Sequence, residues 1–425
     1  MGQITDHPLR YQLANELHTR PFPTLSAPGT VAFLALKQSS DTERNREQDR
    51  ALLLDLLDRF GAPHPHPDAT HYFGTLGKNQ LKWEQHTEFV TYTLFREGVP
   101  ERAFDPAEFE AFPADWLDGI QHLRVTSLIM QVEMREDDGG IVEKVQEWFV
   151  PESVALSSML DGSLVAGGDF RIDAAGHLRF ALFVSKGTGN RRVGRVIQRI
   201  CEIETYKSMS MLGFARVKEM RAELDRCDAA LIALISNMTE TGDAPEKTLT
   251  DLLKVTAELE QQSATTAYRL AATKAYEAIV HQRIEVLREE RFQGRQTFRE
   301  FMMRRYDPAM RTVKATEERL MTMTNRATRA GNLLRTRVDV ERSAQNQSLL
   351  ASMDQRADLQ LRLQKTVEGL SVFAISYYAV SLAGYLLYPV AEILGMSKGT
   401  LTALATLPIL ALVWWLIHKI REKMD

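Results

Sequence analysis

The stretch GLSVFAISYYAVSLAGYLLYPV, residues 369–390, carries no formal charge and constrains the fold more than any other part of the chain. A second uncharged stretch, GTLTALATLPILALVWWLI, occupies residues 399–417. A helix rising about 1.5 Å per residue needs roughly 20 apolar residues to cross a hydrocarbon core about 30 Å thick. The two stretches therefore predict a transmembrane hairpin in membrane lipid, with a pair of buried core helices as the alternative.

Charged residues beside these stretches predict the orientation of the hairpin. The first stretch follows three basic residues, Arg356, Arg362 and Lys365, and the second precedes a basic tail at residues 419–425. The connection carries one acidic and one basic residue. Because basic residues stay on the cytosolic side, both chain ends are expected in the cytosol. Consistently, the N-terminus does not resemble a signal peptide.

One face of the first stretch is polar, small or aromatic. Its residues recur at helical spacing and form a stripe: Ser371, Ala374, Tyr378, Ser381, Tyr385 and Tyr388. Because hydroxyl groups avoid acyl chains, the stripe either packs against another helix or lines a pore, and both alternatives stay open. The register extends upstream through Leu363, Val367 and Leu370. No proline lies between Ala309 and Tyr388, so one continuous helix is expected.

Residues 1–190 are predicted to form a cytosolic α+β domain. Apolar and β-branched segments bounded by turn residues predict strands at Thr30–Leu36, Phe89–Phe95, Val125–Met134 and Leu178–Val184. The turn residues Ala174–Gly176 indicate a hairpin that joins Phe170–Ile172 to the predicted strand starting at Leu178. The 56 acidic residues exceed the 52 basic ones and give a formal charge of -4, so no nucleic-acid partner is expected.

Residues 191–368 are rich in helix-forming residues and are predicted to form a stalk of long α-helices. Pro245 and Pro308 are the expected breaks between helices at Arg195–Met238, Glu246–Arg305 and Ala309–Glu368. Polar helices of this length need packing partners, which predicts a homo-oligomer. The predicted fold class is an α+β cytosolic domain, then long α-helices, then a C-terminal two-helix transmembrane hairpin. The domain bounds are 1–190, 191–368, 369–418 and, for the basic cytosolic tail, 419–425.

Two sets of residues invite a metal-binding or catalytic interpretation. The densest set of metal-ligating side chains is His64, His66, Asp68 and His71. Pro65 and Pro67 instead favour an extended loop whose side chains diverge. An acid/base role would fall to Glu84, His86 and Glu88. On a strand, these three would share one face and form a simple polar edge.

A loop rich in glycine and basic residues joins the last predicted strand to the first long helix. Its candidate anion-binding residues are Lys186, Gly187, Gly189, Arg191 and Arg192. Amides at a helix N-terminus could hold an anion there, but a turn without ligand is the alternative because the spacing matches no nucleotide-binding pattern. The chain has no serine nucleophile elbow, HExxH motif or EF-hand loop, so neither an enzyme nor a bound cofactor is expected.

Three segments resemble a known protein family: HPLRYQLANELHTRP at residues 7–21, WEQHTEF at 83–89 and GLSVFAISYYAVSLAGY at 369–385. The family comprises membrane-anchored bacterial proteins and is defined only as a domain of unknown function. The likeness covers nearly the whole chain and implies no activity. It makes the bacterial inner (plasma) membrane the expected location.

The order of parts is also similar to that of the CorA-type metal-ion transporters. This resemblance implies a pentamer whose first span lines a pore, with a divalent cation as the substrate. It also implies that Glu392 forms an outer acidic ring, which Lys398 would oppose. The family's Gly-Met-Asn triplet corresponds here to Gly384-Tyr385-Leu386, which argues against magnesium selectivity because the asparagine amide is absent. The leading hypothesis is a CorA-like homo-oligomeric cation channel or transporter. The alternative is a membrane-anchored scaffold or sensor without transport.

Overall fold

The computed structural model describes residues 4–11, 22–39, 44–238, 245–387, 389 and 397–421. These residues contain strands β1 (Gly29–Lys37), β2 (His71–Leu76), β3 (Asn79–Gln85), β4 (Val90–Glu97), β5 (Leu123–Met134), β6 (Ala155–Met159), β7 (Leu164–Ile172), β8 (Leu178–Val184) and β9 (Glu290–Arg291). They form one nine-stranded sheet in the order β2-β3-β4-β1-β5-β8-β7-β6-β9. The four predicted strands are confirmed, and β7 and β8 form the predicted hairpin.

The helices fall into a short set and a long set. The short helices precede β8 and are α1 (Arg46–Arg59), α2 (Ala114–Asp118) and α3 (Asp138–Trp148). A 3-10 turn occupies Pro106–Ala111. The later helices are α4 (Asn190–Asn237), α5 (Pro245–Glu285), α6 (Phe298–Arg305), α7 (Asp307–Leu386) and α8 (Lys398–Arg421).

The sheet has a separate hydrophobic core on each face. Alternation along β1 divides its apolar residues between the two cores: Val31, Phe33 and Ala35 on one side, and Ala32, Leu34 and Leu36 on the other. The first core includes apolar residues of α4 to α7, and the second those of α1 to α3. A strand buried on both faces reads as a continuous apolar run, which is why β1 could be recognised from its sequence.

The second long helix ends earlier than predicted. Instead of running from Glu246 to Arg305, helix α5 ends at Glu285, and α6 starts only at Phe298. Between them β9 pairs with β6, and Arg288, Gln293 and Gly294 adopt positive φ angles. Thr297 and Glu300 form a capping box that begins α6. The prediction was wrong because strand pairing and a second cap interrupt a sequence that has adequate helix propensity.

The chain divides into two compact units. One comprises Met1–Glu240 with Thr250–Ala330, and the other Thr241–Leu249 with Gly331–Asp425. The predicted fold class is confirmed: a mixed α/β sheet domain is followed by long helices and an apolar C-terminal helix. Helix α7 is continuous over 80 residues, as expected. The domain bounds at residues 190 and 368 stay predictions.

Candidate functional site

The predicted stripe lies on the C-terminal part of α7. Tyr378 and Tyr385 are 71% and 72% exposed, and Ser371 and Ala374 are also exposed. The Ser371 hydroxyl donates a 2.8 Å hydrogen bond to the Val367 carbonyl of its own helix. Ser381 is half-buried. Tyr388 and the predicted acidic residue Glu392 lie outside the described residues.

A different face of α7 packs within the hairpin. Ser376 is only 8% exposed, and a Cβ added at Gly384 would lie 3.5 Å from Oγ1 of Thr402 on α8. At 3.6 residues per turn, Tyr385 lies about 180° around the helix axis from Ser376. Tyr378 and Tyr385 therefore lie on the side of α7 opposite the buried Ser376. Around the helix axis, the stripe lies about 60–140° from Gly384, which approaches Thr402 of α8.

The glycine-rich loop has the predicted position between β8 and the N-terminus of α4. Gly187 has a φ of +87°, and Gly189 caps α4 without a side-chain hydrogen bond. Thr188 Oγ1 donates to the Ser163 carbonyl at 2.8 Å, and Arg192 donates to the Ser163 hydroxyl at 2.7 Å. Lys186 and Arg191 are exposed beside this anchored loop. The anion site remains a prediction.

The four candidate metal ligands are not brought together. His64 Nε2 lies 2.6 Å from Asp58 Oδ1, whereas His66 Nδ1 lies 3.7 Å from Asp68 Oδ2, and His71 begins β2. Arg50 donates hydrogen bonds to the backbone carbonyls of residues 65–67. Across the residues that the structure describes, no group of three His, Cys, Asp or Glu side chains could hold a metal ion. The loop is held by Arg50, not by a shared ligand.

The segment Trp83–Phe89 does not form a single strand. Strand β3 ends at Gln85, and the His86 amide donates a 2.9 Å hydrogen bond to the Phe89 carbonyl across a tight turn into β4. Glu84 lies on the strand and Glu88 in the turn, so the predicted shared polar face does not form. The interpretation as a polar strand edge was wrong.

Glu88 in this turn is buried and bound by two residues of α5. Its side chain is 6% exposed and forms an ion pair with Arg269. Tyr276 donates a 2.7 Å hydrogen bond from its hydroxyl to Glu88 Oε1. Burial, followed by the interaction with Glu88, raises the pKa of Tyr276, so its phenol stays protonated and remains a donor.

A second buried carboxylate, Asp49 of α1, supports the other side of the turn. The Nη2 atom of Arg44 lies 2.5 Å from Asp49 Oδ2, and the Arg44 guanidinium donates hydrogen bonds to the backbone carbonyls of His86 and Phe89. His122 donates a 2.8 Å hydrogen bond to Asp49 Oδ1. Burial alone would raise the pKa of Asp49, but the His122 and Arg44 interactions hold that pKa below its ordinary value.

Four aromatic rings line the space beside the turn. His86 stacks on Phe89 at a centroid distance of 4.4 Å. The Tyr206 ring of α4 lies 5.7 Å from Phe89 and 5.5 Å from Tyr276. Sequence reasoning selected His86 and Glu88 but missed their partners. Arg269 and Tyr276 are 181 and 188 residues from Glu88. A local sequence pattern cannot predict pairs that are so far apart in the chain.

These features define a class of protein with an α/β sheet domain, long helices and two helices that are long and apolar enough to cross a membrane, Asp307–Leu386 and Gly399–Ile420. The chain belongs to the family described as protein of unknown function (DUF3422), whose model matches residues 5–424. No curated protein matches the chain.

Proposed function

We propose that the chain is a multi-pass protein of the bacterial inner membrane, anchored by the C-terminal part of α7 and by α8, with both termini in the cytosol. Large apolar side chains on both helices are exposed, including Phe373 at 79% and Leu407 at 76%. Lipid would cover such side chains, which water does not solvate well. The basic residues that flank both spans support the cytosolic assignment of the ends.

Self-association through α7 is the second part of the proposal. A seam on α7 recurs every three or four residues and continues into the stripe. Its residues are exposed except for the half-buried Ser381: Leu350, Met353, Ala357, Gln360, Leu363, Val367, Leu370, Ala374, Tyr378, Ser381 and Tyr385. The unit that contains it leaves Leu363 and Leu370 65% and 66% exposed. Copies of α7 arranged around a symmetry axis would cover the seam, and the CorA-like order of parts favours a pentamer.

The third part is a function: conduction of divalent cations along the axis of this assembly. The observation that carries it is the exposure of Tyr378 and Tyr385 on the side of α7 opposite the buried Ser376. In a ring of α7 helices whose Ser376 sides face outward, this exposed side would face the axis. Hydroxyl groups of Ser381, Tyr378 and Tyr385 would then line the path. The mechanism requires no catalytic residue and no bound cofactor.

Cation flux into proteoliposomes tests this function. Ser381→Leu should reduce flux to the level of empty liposomes, because an apolar narrowing blocks ions by dewetting. Ser376→Leu is the matched control, since it makes the same change on the buried side of α7. It should destabilise the hairpin by about 1–3 kcal/mol through overpacking, while flux per intact oligomer stays near that of the wild type.

Native mass measurement of the same detergent preparations supplies the oligomer content for the comparison. A wild-type protein that is only monomeric under mild conditions would contradict self-association. An intact wild-type oligomer without flux for any of several divalent cations would contradict conduction. The proposal that α7 and α8 anchor the chain in the membrane would then still stand.

A scaffold or sensor without transport is the second candidate function. It is favoured by the β3–β4 turn of the sheet domain, beside which Arg46 and four aromatic rings line a cleft. Two buried carboxylates, Asp49 and Glu88, and their arginine partners hold this turn. Intact oligomers that bind a ligand in this cleft but conduct no cation would support this alternative.

A further inference from the structure

The cleft beside the β3–β4 turn has the size of a small-molecule site. Its volume is about 310 Å³, and nine residues line it: Arg46, Thr70, Gln85, His86, Thr87, Phe89, Tyr206, Tyr276 and Ile279. Small-molecule sites commonly range from roughly 300 to 1,000 Å³. The volume is therefore sufficient for a ligand built around a single ring.

The walls of the cleft are held in place before any ligand arrives. Arg44 bonds the two carbonyls that begin and end the turn, and Arg269 and Tyr276 bond the Glu88 side chain between them. A site whose groups are already ordered loses little conformational entropy on binding. A ligand would therefore meet walls that are already ordered.

The aromatic residues select a planar ligand. Four aromatic residues line the cleft: Phe89 and Tyr276 are only 2% and 8% exposed, while His86 and Tyr206 are half-buried. Planar rings gain affinity from offset stacking or edge contacts with such side chains. The polar atoms of Thr70, Thr87 and Gln85 lie around the same space.

The charged residues around the turn favour an anionic ligand. Three arginines, Arg44, Arg46 and Arg269, surround the turn, against two carboxylates, Asp49 and Glu88. Both carboxylates are already paired, Asp49 with Arg44 and Glu88 with Arg269. Arg46 is exposed at the cleft and makes no ion pair with any other residue that the structure describes. A cation would find no carboxylate available, whereas an anion would find the Arg46 guanidinium.

We propose that this cleft binds a small planar aromatic anion, with the ring against His86 and Tyr206 and the carboxylate or phosphate on Arg46. The inference goes beyond cation conduction and does not depend on it. Binding is measured on the protein in detergent and flux on proteoliposomes, so either can fail alone. A ligand at this position would act on the cytosolic unit and not on the stripe.

Calorimetric titration of the full chain in detergent with four probes tests the proposal. Benzoate and phenyl phosphate carry a ring and a charge, benzamide carries only the ring, and acetate carries only the charge. At least one ring anion should bind roughly tenfold or more tightly than benzamide and acetate, because both features contribute. Comparing benzoate with phenyl phosphate identifies the preferred anionic group.

Variants assign the binding to the cleft. Arg46→Ala should weaken the ring anion roughly tenfold, and His86→Ala should weaken it several-fold. Arg44, Arg269 and Tyr276, which hold the turn, are unchanged in both variants. Arg311→Ala removes an exposed arginine of α7 outside the cleft and should leave binding unchanged. The proposal is overturned if no ring anion binds at millimolar concentration, if benzamide or acetate binds equally well, or if Arg46→Ala binds like the wild type.

Discussion

At the scale of single residues, Gly194 of α4 lies very close to the backbone of another segment. A Cβ added at Gly194 would lie 1.8 Å from the Pro23 carbonyl oxygen. The segment that contains Phe22 and Pro23 crosses α4 at this point, and the Phe22 ring lies 5.3 Å from the guanidinium carbon of Arg195. Only a residue without a side chain allows the two backbones to approach so closely.

Replacing Gly194 with alanine should therefore destabilise the protein. We expect a loss of about 1–3 kcal/mol in the free energy of unfolding, because backbone cannot give way as a flexible side chain can. Gly140→Ala is the matched control. Gly140 lies in helix α3, and the nearest atom to its new Cβ would be Oδ1 of the N-cap residue Asp137 at 3.7 Å, so this change should stabilise by roughly 0.5–1 kcal/mol. Denaturant unfolding in detergent measures both, and equal effects would refute the close crossing.

At the scale of elements, α4 and α5 are joined by a close contact at Gly213. A Cβ there would lie 2.1 Å from Thr273 Oγ1, and Thr273 is only 1% exposed. The Thr273 hydroxyl donates a 2.8 Å hydrogen bond to the Arg269 carbonyl. Arg269 and Tyr276, which bind Glu88, lie on the same helix. The contact between the two helices thus positions Arg269 and Tyr276 against Glu88 in the β3–β4 turn.

A double-mutant cycle tests this helix contact. Gly213→Ala alone should cost about 1–3 kcal/mol, although the same change in an isolated helix would be favourable. Adding Thr273→Ala should recover part of that loss, giving a coupling of roughly 0.5–3 kcal/mol. Thermal or denaturant unfolding of the wild type, both single variants and the double variant supplies the numbers. Additive effects would mean that the two residues do not meet.

At the scale of the whole molecule, the native cysteines allow a clean test of topology. Cys201 and Cys227 are both buried. Burial, with a contribution from Glu202, raises the pKa of Cys201 well above its ordinary value, and burial together with Glu258 raises the pKa of Cys227 to about 11. Since the thiolate is the reactive form, neither should label readily near neutral pH.

Cysteines introduced at Ser397 and Ser352 should therefore report the two sides of the membrane. Both positions are exposed, the first just before α8 and the second on α7 ahead of the span. An impermeant thiol reagent on intact cells should label Ser397→Cys, whereas Ser352→Cys should label only after lysis. The wild type supplies the background for both. Labelling with the opposite pattern would reverse the proposed orientation.

Features set by local sequence could be predicted. The uninterrupted α7 follows from a long stretch without proline, and the β1 and β5 strands follow from apolar runs, because backbone hydrogen bonding responds to residues a few positions apart. The stripe from Ser371 to Tyr385 could be read in the same way from its spacing. These parts of the fold were fixed by the order of residues alone.

Only the tertiary structure decided which partners those local elements meet. The break between α5 and α6 depends on β9 pairing with β6, and the turn at Glu88 depends on Arg269 and Tyr276 from a distant helix. The exposure of Tyr378 and Tyr385 likewise depends on which face of α7 is buried. Periodicity identifies a face of a helix, but the packing of separate elements determines what that face contacts.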